Sequence, residues 1–228
     1  MATAIVTGGS MGLGRALTEA LHQLGWRVVT DGRRPDRLRD LVDRLGPERV
    51  VAIPGDVTDP EHRRALVDAA AGTGDLELLV NNASTIGGSP LPRLDDYGLD
   101  GLRRVYEVNV VAPLALTQLV VPHLVAGRGR IVNISSDAAV EAYPAWGGYG
   151  SSKAALDQLS RVLAREHPEL SVYSVDPGDM RTEMHQSAFP GEDISDRPSP
   201  EASVPGLLAL VIGEYESGRY VARDLVTP

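Results

Sequence analysis

Along the chain, short β-branched runs alternate with longer stretches whose apolar residues recur at helical spacing. The runs are Ala4-Ile5-Val6, Arg27-Val28-Val29-Thr30, Val50-Val51-Ala52-Ile53, Leu78-Leu79-Val80, Arg130 to Ile134 and Val172 to Val175, with Tyr220-Val221-Ala222 as a candidate last member. Continuous apolar runs of this length suit strands covered on both faces. Between them, Ala16, Leu17, Ala20, Leu21 and Leu24 form a helical stripe ended by Gly25. Leu38, Leu41, Val42 and Leu45 form a second before Gly46, and Ala65, Leu66, Ala69 and Ala70 a third before Gly72. Glycine is the residue that most readily ends a helix. Repeated strand–helix–strand units predict an α/β fold, a single doubly wound domain over 1–228 with a parallel sheet of about seven strands and helices on both faces.

Two stretches depart from that rhythm. Val105 to Val125 is the most apolar, but Glu107, Asn109, Pro113, Gln118, Pro122 and His123 interrupt it. A membrane span would not carry that polar load, so a buried or subunit-facing helix is expected. Residues 183–203 are rich in Pro, Ser and acids and read as a loop closing over a substrate.

Composition narrows the function. A chain of 228 residues with 43% hydrophobic and 23% charged residues has the make-up of a soluble globular protein. Its net charge of −9 argues against a nucleic-acid partner, since no basic excess is present to displace counterions from phosphates. The absence of cysteine excludes thiol catalysis and disulfides and fits a cytoplasmic setting. No leader and no membrane association are read, and the five scattered histidines give no metal-ligand spacing.

Directly after the first strand comes Thr7-Gly8-Gly9-Ser10-Met11-Gly12-Leu13-Gly14. Glycines at 8, 12 and 14 allow a tight turn, a close approach to a pyrophosphate and packing of the next helix on the sheet. The helix N-terminus then offers free N–H groups to phosphates. Gly8, Ser10, Met11, Gly12, Leu13 and Gly14 are therefore read as cofactor-binding. The second strand ends in Asp31-Gly32-Arg33-Arg34. Arg33 and Arg34 favour a ribose 2′-phosphate and hence NADP(H), whereas Asp31 would favour the 2′-hydroxyl of NAD(H).

Tyr149 and Lys153 stand four residues apart where a helical pattern begins, so phenol and ammonium share a face. A positive charge beside a phenol lowers its pKa, which suits a proton shuttle. Of the 22 basic residues Lys153 is the only lysine. A compact point charge is thus kept at the one place where this chemistry calls for it.

The ordered set formed by the glycine turn, Asn81-Asn82-Ala83, Asn109, Ile134-Ser135-Ser136, Tyr149 to Lys153 and Pro177-Gly178 resembles the short-chain dehydrogenase/reductase family over almost the whole chain. The resemblance implies a Rossmann fold and an NAD(P)-dependent oxidoreductase that moves a hydride to or from a carbonyl or alcohol. It implies that Ser136 donates a hydrogen bond to the substrate oxygen, that Tyr149 exchanges the proton, and that Lys153 holds the nicotinamide ribose and depresses the tyrosine pKa. Asn109 would anchor a water that relays protons. Asp56-Val57 would meet the adenine, Asn82-Ala83 the ribose and nicotinamide side, and Pro177, Gly178, Met180 and Thr182 the nicotinamide amide and phosphates. A homodimer or homotetramer is implied as well.

Ser135 is the alternative donor, and the spacing favours Ser136. Tyr143 and Tyr173 are expected to be packing residues, and Trp146 either walls the substrate pocket or belongs to the core. Two positions depart from the family pattern: Ser84 stands where glycine is usual, and Ser217-Gly218-Arg219-Tyr220-Val221 replaces the glycine-rich closing segment. The alternatives are a non-catalytic dinucleotide sensor and a redox-neutral enzyme, such as an epimerase, on the same fold.

Overall fold

The computed structural model describes residues 1–72, 74–124 and 129–225. Among these, one parallel sheet holds β1 (Ala2–Val6), β2 (Arg27–Gly32), β3 (Val50–Pro54), β4 (Asp75–Asn81), β5 (Arg130–Ile134), β6 (Ser171–Asp176) and β7 (Gly218–Val221). Their order is β3-β2-β1-β4-β5-β6-β7. Ile5 of β1 stands opposite Val29 of β2 on one side and Leu79 of β4 on the other.

Successive residues of a strand face opposite sides of a sheet, and β1 divides accordingly. Ala4 and Val6 pack with α1 (Gly12–Gln23) and α8 (Val204–Ile212) through Leu17, Leu21, Leu207 and Leu210. Ile5 packs on the other face with α3 (Pro60–Ala71) and α5 (Ala112–Val120) through Leu66, Leu116 and Val120. The fold is therefore the doubly wound Rossmann type that the strand runs predict. The remaining helices are α2 (Pro35–Leu45), α4 (Leu99–Tyr106), α6 (Gly147–Glu166) and α7 (Glu183–Ala188).

Local chemistry sets the helix ends. Pro35 and Pro60 begin α2 and α3, where their missing N–H costs nothing. Asp59 caps α3 by accepting the Glu61 N–H at 2.9 Å. Gly25 and Gly46, with φ of +86° and +88°, turn the chain away after α1 and α2.

The apolar stretch around Asn109 is a continuous helical run, Leu99–His123, in which a π-helical turn, Glu107–Val111, joins α4 to α5. The run is long and apolar enough to cross a membrane by length and composition, and half of its most apolar window is buried within the fold. Val125, the end of the predicted stretch, lies outside the described residues. The segment expected as a loop contains α7 and a short 3-10 turn at Pro200–Ser203. Helix α8 has no counterpart in the sequence reading, because Leu207-Leu208-Ala209-Leu210-Val211-Ile212 is apolar all round and shows no stripe.

Between β1 and β4 the strand order reverses. In open parallel sheets this reversal leaves a crevice at the carboxyl ends of the strands, where ligands bind. The glycine turn leaves β1 there, Asn82 follows β4, Ser136 follows β5 and Pro177 follows β6.

Candidate active site

Close packing makes the glycine turn what it is. A Cβ on Gly14 would sit 2.4 Å from both the Gly8 oxygen and Asn82 Nδ2, and one on Gly9 would sit 2.0 Å from Thr30 Oγ1. Gly8 and Gly12 have φ of +72° and +55°, the left-handed region that favours glycine. Asn82 stitches the turn to β4, donating from Nδ2 to the Thr7 oxygen at 2.8 Å, while its N–H and that of Ala83 each donate to Thr7 Oγ1 at 3.0 Å. Ser10 is packed beneath Gly32, and Leu13 points into the core. Met11 precedes α1 without a side-chain cap, and no acid stands in the first turn. The positive helix end is thus left to an external anion, and the cradle fits the pyrophosphate of a dinucleotide.

The rim past β2 differs from the simple expectation. Asp31 is 1% exposed and both its oxygens are used: Oδ1 accepts the Gly8 N–H at 2.6 Å, and Oδ2 meets His62 Nε2 at 2.8 Å. It braces the turn from below and is not presented to a ribose. Arg33 is exposed and makes no ion pair among the described residues. Arg34 and Arg37 both pair with Glu183 at the start of α7, at 3.4 and 2.5 Å. Asp56 accepts from the N–H and hydroxyl of Thr58 at 3.0 and 2.8 Å and from Arg104 at 2.7 Å. Burial alone would raise its carboxyl, but these donors outweigh burial and hold it below the usual range. The neighbouring Val57 carbonyl accepts from Arg63 at 2.6 Å.

Tyr149 and Lys153 lie one turn apart on α6, both buried, with Nζ 5.5 Å from the centre of the phenol ring. Nζ donates to the Ile134 oxygen at 2.7 Å. Burial pushes the phenol well above its ordinary value, and Asp176 and Asp137 add to that; hydrogen bonds from Ser136 and Ser84 pull the other way. The net direction is therefore upward, opposite to the depression expected beside Lys153, because desolvation is the largest influence. The same burial lowers Lys153 to about 8, with the charge of Asp157 acting in the opposite sense.

Ser136 accepts the Ala138 N–H at 3.1 Å and donates to Asp137 Oδ1 at 2.9 Å, so Asp137 competes with the phenol for its proton. Ser135 is 1% exposed, and its hydroxyl has no partner among the described residues. Asn109 is fully buried on the π turn. Its Oδ1 accepts from Thr85 N–H at 2.9 Å and from Ser84 Oγ at 3.1 Å; its Nδ2 donates to the Thr85 oxygen at 2.8 Å and to Ser152 Oγ at 3.0 Å. Two donors and two acceptors are all an amide has. Ser84, which sequence reasoning registers only as a departure, therefore joins Asn109 to Tyr149.

Beside the phenol, Ile86, Ala138, Leu91, Trp146 and Ala188 form an apolar wall. Trp146 meets Tyr149 edge-on at 5.7 Å and Phe189 at 5.9 Å, so it belongs to the site. Ala145, just before it, has φ of +68°, a conformation an alanine rarely adopts. Tyr173 is buried as expected, but Tyr143 is exposed and donates to Asp137 Oδ2 at 2.9 Å; it is not a packing residue. Past the end of β6, Gly178 (φ +77°) donates to Asp176 at 2.9 Å, Pro177 accepts from Ser203 at 2.7 Å, Met180 packs against the core, and Thr182 lies 3.5 Å from where a Cβ of Gly12 would stand. Glu192, Asp193 and Asp196 face solvent.

A doubly wound parallel sheet with a glycine-lined crevice at its switch point defines the class of dinucleotide-binding α/β proteins. Within it, the short chain dehydrogenase family matches residues 2–193, and the chain belongs to that family of oxidoreductases. It is 39% identical over 193 residues to a short-chain dehydrogenase of Penicillium crustosum, covering 82% of this chain and 69% of that one. Over 210 residues it is 36% identical to the L-xylo-3-hexulose reductase of Hypocrea jecorina, again covering 82% and 69%. A short chain dehydrogenase of Shigella flexneri crystallised with NADP superposes at a TM-score of 0.88 and 27% identity, covering 97% of this chain and 96% of that one.

Proposed function

We propose that the chain is an NADPH-dependent carbonyl reductase, able to run in reverse as an alcohol dehydrogenase, with Tyr149 as proton donor and acceptor. The observation that carries this reading is the buried Tyr149 phenol, held against Ser136 and one turn from the only lysine.

The glycine turn and the first turn of α1 would hold the pyrophosphate, Arg33 a 2′-phosphate, and Asp56-Val57 the adenine. Pro177, Gly178, Met180 and Thr182 would flank the nicotinamide. Removal of Asp31 from the rim and the exposure of Arg33 favour NADP(H), as does the family relative complexed with NADP. A bound nicotinamide supplies or takes up the hydride.

Because burial pushes the phenol up, Tyr149 is protonated at neutral pH and ready to donate as negative charge grows on a carbonyl oxygen. Ser136 stabilises that oxygen with its hydroxyl. The Lys153 ammonium, 5.5 Å from the ring centre, would oppose the Asp176 and Asp137 charges once a phenolate forms. Asn109, with its amide fully engaged, positions Ser84 and Thr85. Trp146 and Phe189 suit a substrate with an apolar flank beside its carbonyl.

A panel of ketones, keto-sugars and polyketide-like carbonyls, assayed by NADPH and NADH consumption, identifies the substrate class. With any compound turned over, Tyr149→Phe loses about 10³-fold in kcat, as removal of a general acid does, while NADPH binding by fluorescence is unchanged. A Phe variant that turns over within about tenfold of the wild-type rate sinks the mechanism.

A further inference from the structure

Three parts of the catalytic cluster meet at a side chain outside it. Arg219, on β7, donates from Nε to Asp157 Oδ2 at 3.0 Å and from Nη2 to the Ser136 backbone oxygen at 3.0 Å. Nη2 also lies 3.8 Å from Asp176 Oδ2, and Asp176 Oδ1 accepts the Gly178 N–H. Asp157 follows Lys153 by one turn of α6 and is 2% exposed. Its Oδ1 has no hydrogen-bond partner among the described residues. This arginine stands in the segment that departs from the family's usual closing sequence.

We propose that Arg219 is a positioning residue for proton transfer: its planar fork fixes the main chain that carries Ser136, and its charge shares Asp157 with Lys153. The inference rests on the proposed roles of Tyr149, Ser136 and Lys153. A planar fork holds the carboxylate and the carbonyl in one fixed geometry; a lysine at this place would supply charge without that orientation. A carboxylate as buried as Asp157 needs a cation, and it faces two.

The charges around this network are Lys153 and Tyr149 on α6, Asp176 at the end of β6, Asp137 next to Ser136, and Arg223 beyond β7, which acts on Asp176. Arg219 draws part of the Asp157 field away from Lys153. It also counters the Asp176 charge that reaches Tyr149. Without the arginine, Lys153 keeps its proton to higher pH. Without Asp157, Lys153 gives it up earlier.

Lys153 is the only lysine, so protein labelled with 13C-lysine reports its titration by NMR alone, with neither cofactor nor substrate present. The wild-type midpoint is expected at about 8. Arg219→Met moves it up and Asp157→Asn moves it down, each by on the order of one pH unit. Equal midpoints in the three proteins overturn the charge sharing. In kinetics with NADPH and a ketone from the panel, Arg219→Met and Arg219→Lys each lose about 10²-fold in kcat per active site, the effect of a small misplacement of a reacting group. Only the lysine variant keeps the wild-type pH profile. A lower melting temperature with unchanged kcat and profile overturns the positioning role.

Should Arg219→Met unfold, its lysine titrates near the ordinary 10.5; Asp157→Asn and Arg219→Lys then decide by the same criteria. Near wild-type turnover by Tyr149→Phe would defeat the proposed mechanism and leave the Lys153 titrations standing. An inactive Tyr149→Phe beside unmoved Arg219 and Asp157 variants defeats this inference alone.

Discussion

At the end of β1 the crevice is held by close packing around main chain that lacks side chains, whereas at the start of α6 it is held by buried side chains drawn from separate strands and helices. The glycine turn is fixed by what cannot fit, a Cβ at Gly9 or Gly14, and by bonds that each join a side chain to main chain, the Asn82 N–H to Thr7 Oγ1 and Asn82 Nδ2 to the Thr7 oxygen. The catalytic side is fixed by charges and hydroxyls: Lys153 on the Ile134 oxygen, Ser84 on Asn109, Arg219 on Ser136. Steric exclusion does not respond to pH. A buried charge cluster does, because each charge there is held against desolvation. Substitutions on the two sides should therefore move different quantities, dinucleotide affinity on one and turnover with its pH profile on the other.

The largest way to break that division is at Lys153. Lys153→Met should lower kcat by about 10²–10⁴-fold, the range for an acid–base group. The wild type sharpens the comparison. Lys153 loses its charge as pH rises through about 8, while the raised phenol stays protonated there. Reduction should be level below about pH 8 and fall above it, and the Met variant should lack that limb. A limb that survives in Lys153→Met assigns it to another group and ends the proposed role of the ammonium.

The contrast also explains what could be read from sequence alone. The glycine turn and Tyr149 with Lys153 were legible because each depends on spacing within one turn or one helix, and Ser136 was legible only through the ordered motifs of the family it resembles. The sheet was legible because buried parallel strands are apolar throughout. The supports were not. Arg37 meets Glu183 across 146 residues and Arg219 meets Ser136 across 83, distances over which no local period connects them. Asp31 shows how a residue type misleads: at a strand end it looks like a ribose ligand, yet the pleat turns it inward to Gly8 and His62. Ser84 was visible only as an oddity, since its meaning lies in Asn109 and Tyr149.

On the cofactor side the expected effect is smaller and of another kind. Arg33→Ala should weaken NADPH binding by about 10–100-fold, the worth of charge-assisted bonds to a phosphate, and leave NADH binding and the alkaline limb unchanged. Fluorescence titration with both dinucleotides checks it. Equal losses for NADPH and NADH would mean that Arg33 holds the turn itself and not a 2′-phosphate.

The smallest effect, and the finest test of the division, is at Ser84, which stands between the two sides. Ser84→Gly restores the residue usual in the family and removes one donor from Asn109 Oδ1. Thr85 and Ser152 still hold the amide, so the loss is one neutral hydrogen bond, about 0.5–1.5 kcal/mol. The phenol also loses the hydrogen bond with Ser84 that draws it down, so it should hold its proton to still higher pH. Alcohol oxidation needs the phenolate and should slow by a few-fold, with its rise displaced toward alkaline pH, while reduction, which needs the neutral phenol, changes little. Measured as paired pH profiles in the two directions, that asymmetry separates a hydroxyl acting on Tyr149 from one that merely narrows the crevice. A filler removed from the cofactor side would alter NADPH affinity and leave both profiles where they were.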